Sequence, residues 1–234
     1  MKTTMALKPL AFALAALMAV AAHADQTDRH PQPQTAPTTL AVTTNDAQNN
    51  HGNTVLNDKT KNNASTSGSL NGSKGVANAN IQSGDNNQAK NDVAIGSADD
   101  AAQVFATVNS VQSNSNNITG NFGNTNNASL NSSGNGASGV IQVNVSAGNS
   151  NQSSNSTAIA SANGKSGAAT VNAVQDVSSN LTLNVSTGHG WKTTPVTNNA
   201  SVNSSLNGSS GVLGANISAG TNNQAQNNVA ITRF

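Results

Sequence analysis

The feature that most constrains this chain is an internal repeat of 34 residues that occurs three times, and the three copies align with one another without a gap. The copies run from Asn62 to Ile95, from Asn126 to Ile159 and from Asn198 to Ile231, and 16 of the 34 positions are identical in all three. Each copy opens with Asn-Asn-Ala-Ser and closes with Ala-Ile. A repeat of this length predicts a solenoid or a stacked array, in which each unit buries a face against its neighbour.

Turn signals divide each copy into three pieces of strand length. In the first copy, Asn71-Gly72 with Gly75 marks one break, and Gly84 with Asn86-Asn87 marks the next. Asn-Gly pairs supply the positive φ angles that tight turns require. We therefore predict three short strands in each copy and no helix.

The middle piece of each copy alternates apolar and polar residues, which is typical of a half-buried strand. In the second copy this pattern places Ile141, Val143 and Val145 on one face and polar side chains on the other. The equivalent apolar positions are Ala77, Ala79, Ile81 and Leu213, Ala215, Ile217. In the last piece, alternation places three asparagines on the apolar face of the closing isoleucines, namely Asn91, Asn155 and Asn227 with Ile95, Ile159 and Ile231.

The composition indicates how such units hold together. Leu, Ile, Val and Phe make up only 42 of 234 residues, whereas Asn alone contributes 40, and there is no Cys for a disulfide. One copy alone is too polar to offset the entropy of ordering its backbone. In-register stacking at ~4.8 Å would pair inward asparagines amide to amide. The predicted fold is all-β: three stacked ~34-residue repeats forming a β-solenoid-like cross-β fibre core, with a disordered N-terminal arm and linkers.

The predicted fibre-core positions are asparagines, glutamines, glycines and isoleucines that recur in every copy. They are Asn62, Asn71, Gly72, Gly75, Asn80, Asn87, Gln88, Asn91 and Ile95 in the first copy; Asn126, Asn135, Gly136, Gly139, Asn144, Asn151, Gln152, Asn155 and Ile159 in the second; and Asn198, Asn207, Gly208, Gly211, Asn216, Asn223, Gln224, Asn227 and Ile231 in the third.

Charge is nearly absent from the repeats. The second and third copies have no charged residue, and the first has Lys74, Asp85, Lys90 and Asp92, whose charges sum to zero. Because like charges directly opposite one another destabilise a sheet, this distribution favours units that stack in register.

The rest of the chain is predicted to be targeting sequence and connections. Residues 1–24 have a basic start, an apolar run and a small-residue cleavage pattern, which are typical of a secretory signal peptide. We predict a disordered arm over 25–61, linkers over 96–125 and 160–197, and a short tail over 232–234. The linkers share one short match, Ala106 to Gln112 against Ala169 to Gln175.

The opening Met1-Lys-Thr-Thr-Met-Ala-Leu-Lys-Pro-Leu and the three Asn-Asn-Ala-Ser…Asn-Gln units resemble the bacterial Fap-type functional amyloids, and their major fibre subunit above all. The resemblance implies a homopolymeric extracellular fibre of a Gram-negative bacterium that supports biofilm formation and surface adhesion. It also implies periplasmic helpers, an outer-membrane export pore and a nucleating minor subunit. Major subunits often carry a Cys-x-x-Cys near the C-terminus, which this chain lacks, so both major and minor subunit remain open.

Other function classes have less support in the sequence. The four histidines, His23, His30, His51 and His189, lie outside the repeats, and none sits at a zinc spacing with a second ligand. Asp99-Asp100 and the local sequence from His189 to Lys192, which includes Trp191, are interpreted as exposed loops. We expect no enzyme activity, cofactor, metal, nucleic acid or small-molecule substrate. The main alternative is a non-fibrillar cell-surface β-solenoid adhesin, and a flat ice-binding solenoid is a weaker one.

Overall fold

The structure, a computed structural model, describes residues 39–99, 103–163, 166–189 and 192–233. These segments contain strands and no helix, and therefore no helix long and apolar enough to cross a membrane. The predicted signal peptide and the first part of the N-terminal arm lie outside the described residues.

The strands form three successive layers. The first layer contains β1 (Thr39–His51), β2 (Thr54–Asp58), β3 (Lys61–Ser67), β4 (Lys74–Ser83) and β5 (Gln88–Ala98). The second contains β6 (Gln103–Ser115), β7 (Ile118–Phe122), β8 (Thr125–Asn131), β9 (Ser138–Asn149) and β10 (Gln152–Ala162). The third contains β11 (Ser166–Ser178), β12 (Leu181–Val185), the short strands β13 (Thr187–His189) and β14 (Lys192–Thr194), β15 (Thr197–Asn203), β16 (Ser210–Thr221) and β17 (Gln224–Arg233).

Each strand pairs in parallel with its counterparts in the neighbouring layers, and the second layer supplies the central strand of all five three-stranded sheets within the described residues. Equivalent repeat positions coincide, so that Asn126 pairs with both Asn62 and Asn198. Stacked residues in the first and second layers are 64 residues apart in the sequence. This separation rises from 63 to 72 between the second layer and the third, because the antiparallel β13–β14 hairpin is inserted there. The predicted all-β, in-register stack of repeats is confirmed.

Within a layer, strands contact one another through side chains rather than through backbone hydrogen bonds. In the second layer, β8 packs on β9, β9 on β10, and β10 on β6. One apolar core lies between β8 and β9 and includes Leu130, Ile141, Val143 and Val145. The predicted apolar face of the middle strand is therefore buried in β9, whereas the equivalent Leu213 in the third layer is 36% exposed. A second core lies between β6 and β10 and includes Val104, Ala106, Val108, Ala158 and Ala160.

The structure differs from the sequence-based prediction in the linkers and the end of the arm, which form strands instead of being unstructured. The first linker contains β6 and β7, the second contains β11 and β12, and the end of the arm contains β1 and β2. Each layer therefore consists of a repeat copy, which supplies three strands, and two further strands from the preceding segment. The physical reason is burial: without β1, β6 and β11, the second core would have no partner for the alanines of β5 and β10.

Candidate functional site: amide rows and the open ends of the stack

Two rows of asparagine side chains run along the stack between the β4–β9–β16 sheet and the β5–β10–β17 sheet. In one row, Nδ2 of Asn155 donates a hydrogen bond to Oδ1 of Asn91, and Asn227 donates likewise to Asn155, both at 2.9 Å. The other row is formed by Asn80, Asn144 and Asn216, with both hydrogen bonds at 3.0 Å. We call these six side chains the paired asparagine rows.

The paired asparagine rows are also linked to each other within each layer. Nδ2 of Asn155 donates to Oδ1 of Asn144 at 2.9 Å, and Asn227 donates to Asn216 at 2.8 Å. The Asn155 side chain is only 1% exposed. Because leaving a buried amide unpaired costs about 1–3 kcal/mol, such side chains can fill the space between two sheets only when their partners are supplied. Here the neighbouring layer and the facing strand supply them.

Two rows of glutamine side chains have the same role between the β5–β10–β17 sheet and the β1–β6–β11 sheet. Nε2 of Gln152 donates to Oε1 of Gln88 at 2.8 Å, and Gln224 donates to Gln152 at 3.3 Å. A facing row consists of Gln48, Gln112 and Gln175, joined at 2.9 and 2.8 Å. Sequence analysis missed this second row because it lies in the arm and the linkers. The short match that ends at Gln112 and Gln175 was its only signal.

Asparagines at the turns hold the layers together through the backbone. The backbone N–H of Asn135 donates to Oδ1 of Asn71, and that of Asn207 donates to Oδ1 of Asn135, both at 2.8 Å. Asn87, Asn151 and Asn223 repeat this arrangement at the β4–β5 turn and its equivalents, at 3.0 and 3.2 Å. A third set, Asn62, Asn126 and Asn198, forms a side-chain row at 2.9 and 2.8 Å.

Glycine at the start of the middle strand allows successive layers to approach closely. Gly139 has φ +115, and a methyl group there would overlap the carbonyl oxygen of Gly75 in the layer before. A methyl group at Gly211 would meet the Gly139 carbonyl in the same way. Gly136, in the preceding turn, has φ +63 but open space around it. The two recurring glycines therefore meet different requirements, close stacking at Gly139 and turn conformation at Gly136.

Within the part of the chain that the structure describes, only the first layer buries charged side chains. Lys90 is 3% exposed and Asp92 is 5% exposed, between β5 and β1. Nζ of Lys90 donates to the carbonyl oxygens of Asp46 and Val111 at 3.1 and 3.0 Å, and lies 4.0 Å from Oδ2 of Asp46. The equivalent residues in the other layers are uncharged: Ser154 and Gln226 for Lys90, and Ser156 and Asn228 for Asp92.

Burial shifts the pKa of both groups toward their neutral forms. It raises the pKa of Asp92, against the opposing effects of a hydrogen bond from Ser110 and the charge of Lys90, while the charge of Asp46 raises it further. It lowers the pKa of Lys90, while the nearby carboxylates of Asp46 and Asp92 raise it. Sequence analysis noted these charges but placed them on no particular face. Their burial depends on β1, which lies in the segment that the sequence predicts to be a disordered arm.

The two outer layers have open edges. Nearly every residue of β9 and β10 is buried, because a layer lies on each side of them. The equivalent strands of the first and third layers keep alternating or exposed positions. A strand at a sheet edge has unpaired N–H and C=O groups, and these are a template for pairing with another chain.

Comparison with known proteins agrees with this geometry. Residues 40–233 match the model of the functional amyloid protein FapB/FapC family. The chain belongs to this family. It is 42% identical over 159 residues to the functional amyloid subunit FapC of Pseudomonas aeruginosa strain PAO1, a match that covers 63% of this chain and 46% of that protein. The chain therefore spans about half the length of this relative. No solved structure matches the chain.

Most of the predicted fibre-core positions lie in the contacts described above for this FapB/FapC family member. All of them are in described strands or turns, stacked with their equivalents. The closing isoleucines share a face with the inward asparagines as predicted, but they lie outside the two apolar cores, and Ile95 is 41% exposed.

The residues considered for catalysis do not come together in the described part of the chain. His51 lies at the end of β1, where Nδ1 is 3.0 Å from Oγ of Ser115, and His189 lies in the β13–β14 hairpin. Asp100 and Trp191 are outside the described residues. Among the described residues, no group of three or more His, Cys, Asp or Glu side chains could hold a metal ion.

Proposed function

We propose that this chain is a secreted structural subunit that self-assembles into extracellular amyloid fibres, which support biofilm formation and surface adhesion. The observation that carries the proposal is that every side-chain amide row ends at an open layer. A row of three asparagines satisfies its middle member on both sides and leaves the outer members able to bind a fourth. Together with the open backbone edges, this makes each terminal layer a site for adding another chain.

The same proposal covers the route and the partners of the chain. Export through the periplasm and an outer-membrane pore, with helpers and a nucleating minor subunit, is what the resemblance to Fap-type amyloids implies. The likeness to a FapC subunit favours the fibre-forming role for this chain over the nucleating role. If the chain is instead a minor subunit, small amounts of it will shorten the lag of a separate major subunit without its forming long fibres alone.

The test uses the chain from residue 25 onward, diluted from denaturant at several concentrations. We expect mostly disordered monomers that convert to β-rich fibres after a concentration-dependent lag. The fibres should give reflections near ~4.8 and ~10 Å. A chain that forms its β-structure within milliseconds, independently of concentration, and remains monomeric would reject the fibre and favour the non-fibrillar adhesin.

A further inference from the structure

The two ends of the stack differ chemically, and we propose that they are made to fit each other. The third layer of one copy docks head to tail on the first layer of a second copy, with Gln226 hydrogen-bonded to Asp92 of the next chain. This inference rests on the proposed fibre function and adds to it the direction of stacking and the residues at the junction.

Unpaired polar atoms at the two ends are complementary. Among the described residues, Asn86 Nδ2 and Asp92 Oδ2 in the first layer are buried without a hydrogen-bond partner. Asn222 Oδ1 and Gln226 Nε2 in the third layer are also buried without one. Each end thus has one unpaired amide donor and one unpaired oxygen acceptor, and the third layer also has the unpaired Thr187 hydroxyl in its β13–β14 hairpin. Buried polar groups in native proteins are almost always paired. Gln142 Oε1 and Ser150 Oγ in the second layer are unpaired as well, so the support for docking comes from the match of donors and acceptors between the two ends.

Continuing the register of the stack brings these atoms together. Asn222 occupies the position of Ser150 and Asn86, so its carbonyl faces the Asn86 amide of the next copy. Gln226 falls opposite Lys90, and Asn228 falls opposite Asp92. Gln226 and Asp92 are then diagonal neighbours on one sheet face, with backbones ~7–8 Å apart, a separation that long side chains can span.

The direction of the amide rows favours the same arrangement. In the paired asparagine rows each layer donates to the layer before it, as Asn155 does to Asn91. In a head-to-tail junction, Asn91 of the second copy donates to Asn227 of the first, and the row continues. Joining two equivalent ends would require one copy to be turned over. That would reverse its strands and mirror the outline of the layer, so the five sheets would no longer align.

The charges at the junction provide a test of this arrangement. Gln226→Lys places a cation opposite Lys90 of the next copy, and like charges directly opposite one another are destabilising. We expect elongation to slow roughly tenfold or more, which corresponds to about 1.4 kcal/mol. The matched control is Val174→Lys, which adds the same charge to the exposed outer face of β11 in the same layer. Its elongation rate should stay within about twofold of that of the unmodified chain, a difference of under about 0.5 kcal/mol.

The decisive variant is the double substitution Lys90→Gln with Gln226→Lys. It moves the cation across the junction, where it again lies beside Asp92 and Asp46, so elongation should recover most of the loss. As a second measurement, Lys90→Gln monomers should extend Gln226→Lys seeds faster than unmodified monomers do. The inference is overturned if Gln226→Lys elongates normally, or if neither Lys90→Gln experiment restores growth. Fibre formation by the unmodified chain tests the proposed function separately.

Discussion

The side-chain amide of Asn155 donates a hydrogen bond to the side-chain carbonyl oxygen of Asn91, 2.9 Å away in the neighbouring layer. The same amide faces two more acceptors, the backbone oxygen of Val143 and Oδ1 of Asn144. Three acceptors therefore converge on one NH₂ group that is shielded from water. This convergence explains why a polar residue is tolerated here, and it makes the position sensitive to small chemical changes.

We expect Asn155→Asp to be the most damaging conservative substitution at this position. At pH 7 it replaces the donor with a buried carboxylate that faces three acceptors, at a cost of about 3–5 kcal/mol. At pH 3 the protonated acid regains one donor, so the loss should be smaller. Asn155→Ala removes the row without adding charge and should cost about 1–3 kcal/mol at either pH. Guanidinium denaturation of assembled fibres at both pH values measures the difference.

The control for this prediction is Asn127→Asp, in the same layer. Asn127 also belongs to a row, since it donates to Asn63 at 2.8 Å, but that hydrogen bond is exposed to water. A carboxylate there stays hydrated, so its effect at pH 7 should be well below that of Asn155→Asp. Equal effects of Asn155→Asp and Asn155→Ala at pH 7 would mean that Asn155 faces solvent.

Gly139→Ala tests the close approach of successive layers. The added methyl group would overlap the carbonyl oxygen of Gly75, at a φ of +115. Backbone strain of about 1–2 kcal/mol and overpacking of about 1–3 kcal/mol should add to roughly 2–5 kcal/mol. Gly136→Ala has the same chemistry at φ +63 with no atom nearby, so only the strain should remain. If the two substitutions lower the denaturation midpoint equally, the layers are not stacked as the structure shows.

Val108→Ala tests whether the segment predicted as the first linker belongs to the folded stack. Val108 is fully buried in β6, in the core shared with β10. Removing two methyl groups from such a site should destabilise the assembly by about 1–3 kcal/mol. Val174→Ala makes the same change on β11 at a side chain that is 56% exposed, and should have little effect. Similar, negligible losses from both substitutions would restore the interpretation of 96–125 as an unstructured linker.

The parts of the fold that the sequence predicted are those whose residue pattern recurs in all three copies. The alternation of Ile141, Val143 and Val145 identified a buried strand face, and the recurrence of Asn155 identified an inward amide row, because both patterns are local and occur in every copy. The five-stranded layer could not be predicted in this way. Its outer strands β1, β6 and β11 share alternation and only three identical positions, those of Thr107, Asn109 and Gln112.

The burial of Lys90 and Asp92 could not be predicted from the sequence for a related reason. In the sequence they are two charges separated by one residue, which a strand places on one face, but nothing local says which face is covered. Their burial follows from β1, which lies in the same layer but distant in sequence, with Asp46 44 residues before Lys90. Packing between segments that are distant in the sequence produces no periodic residue pattern from which it could be predicted.

The last prediction concerns the pH dependence of stability that Asp92 contributes. Burial raises its pKa above the ordinary value of 3.8, so the folded chain holds a proton that the unfolded chain has released. Stability must then fall as pH rises from below 3.8 through the raised pKa, and level off above it. Asp92→Asn removes this titration and keeps the shape of the side chain, while Lys90 retains Asp46 beside it. The variant should therefore show a flatter profile between pH 3 and 7 and gain most, relative to the unmodified chain, at pH 7. Denaturation midpoints of fibres assembled from each chain, taken across this range, make the measurement. Asp58→Asn, on the exposed face of β2, is a control that should leave the profile unchanged. Parallel profiles for the unmodified chain and Asp92→Asn would show that Asp92 is hydrated rather than buried against β1.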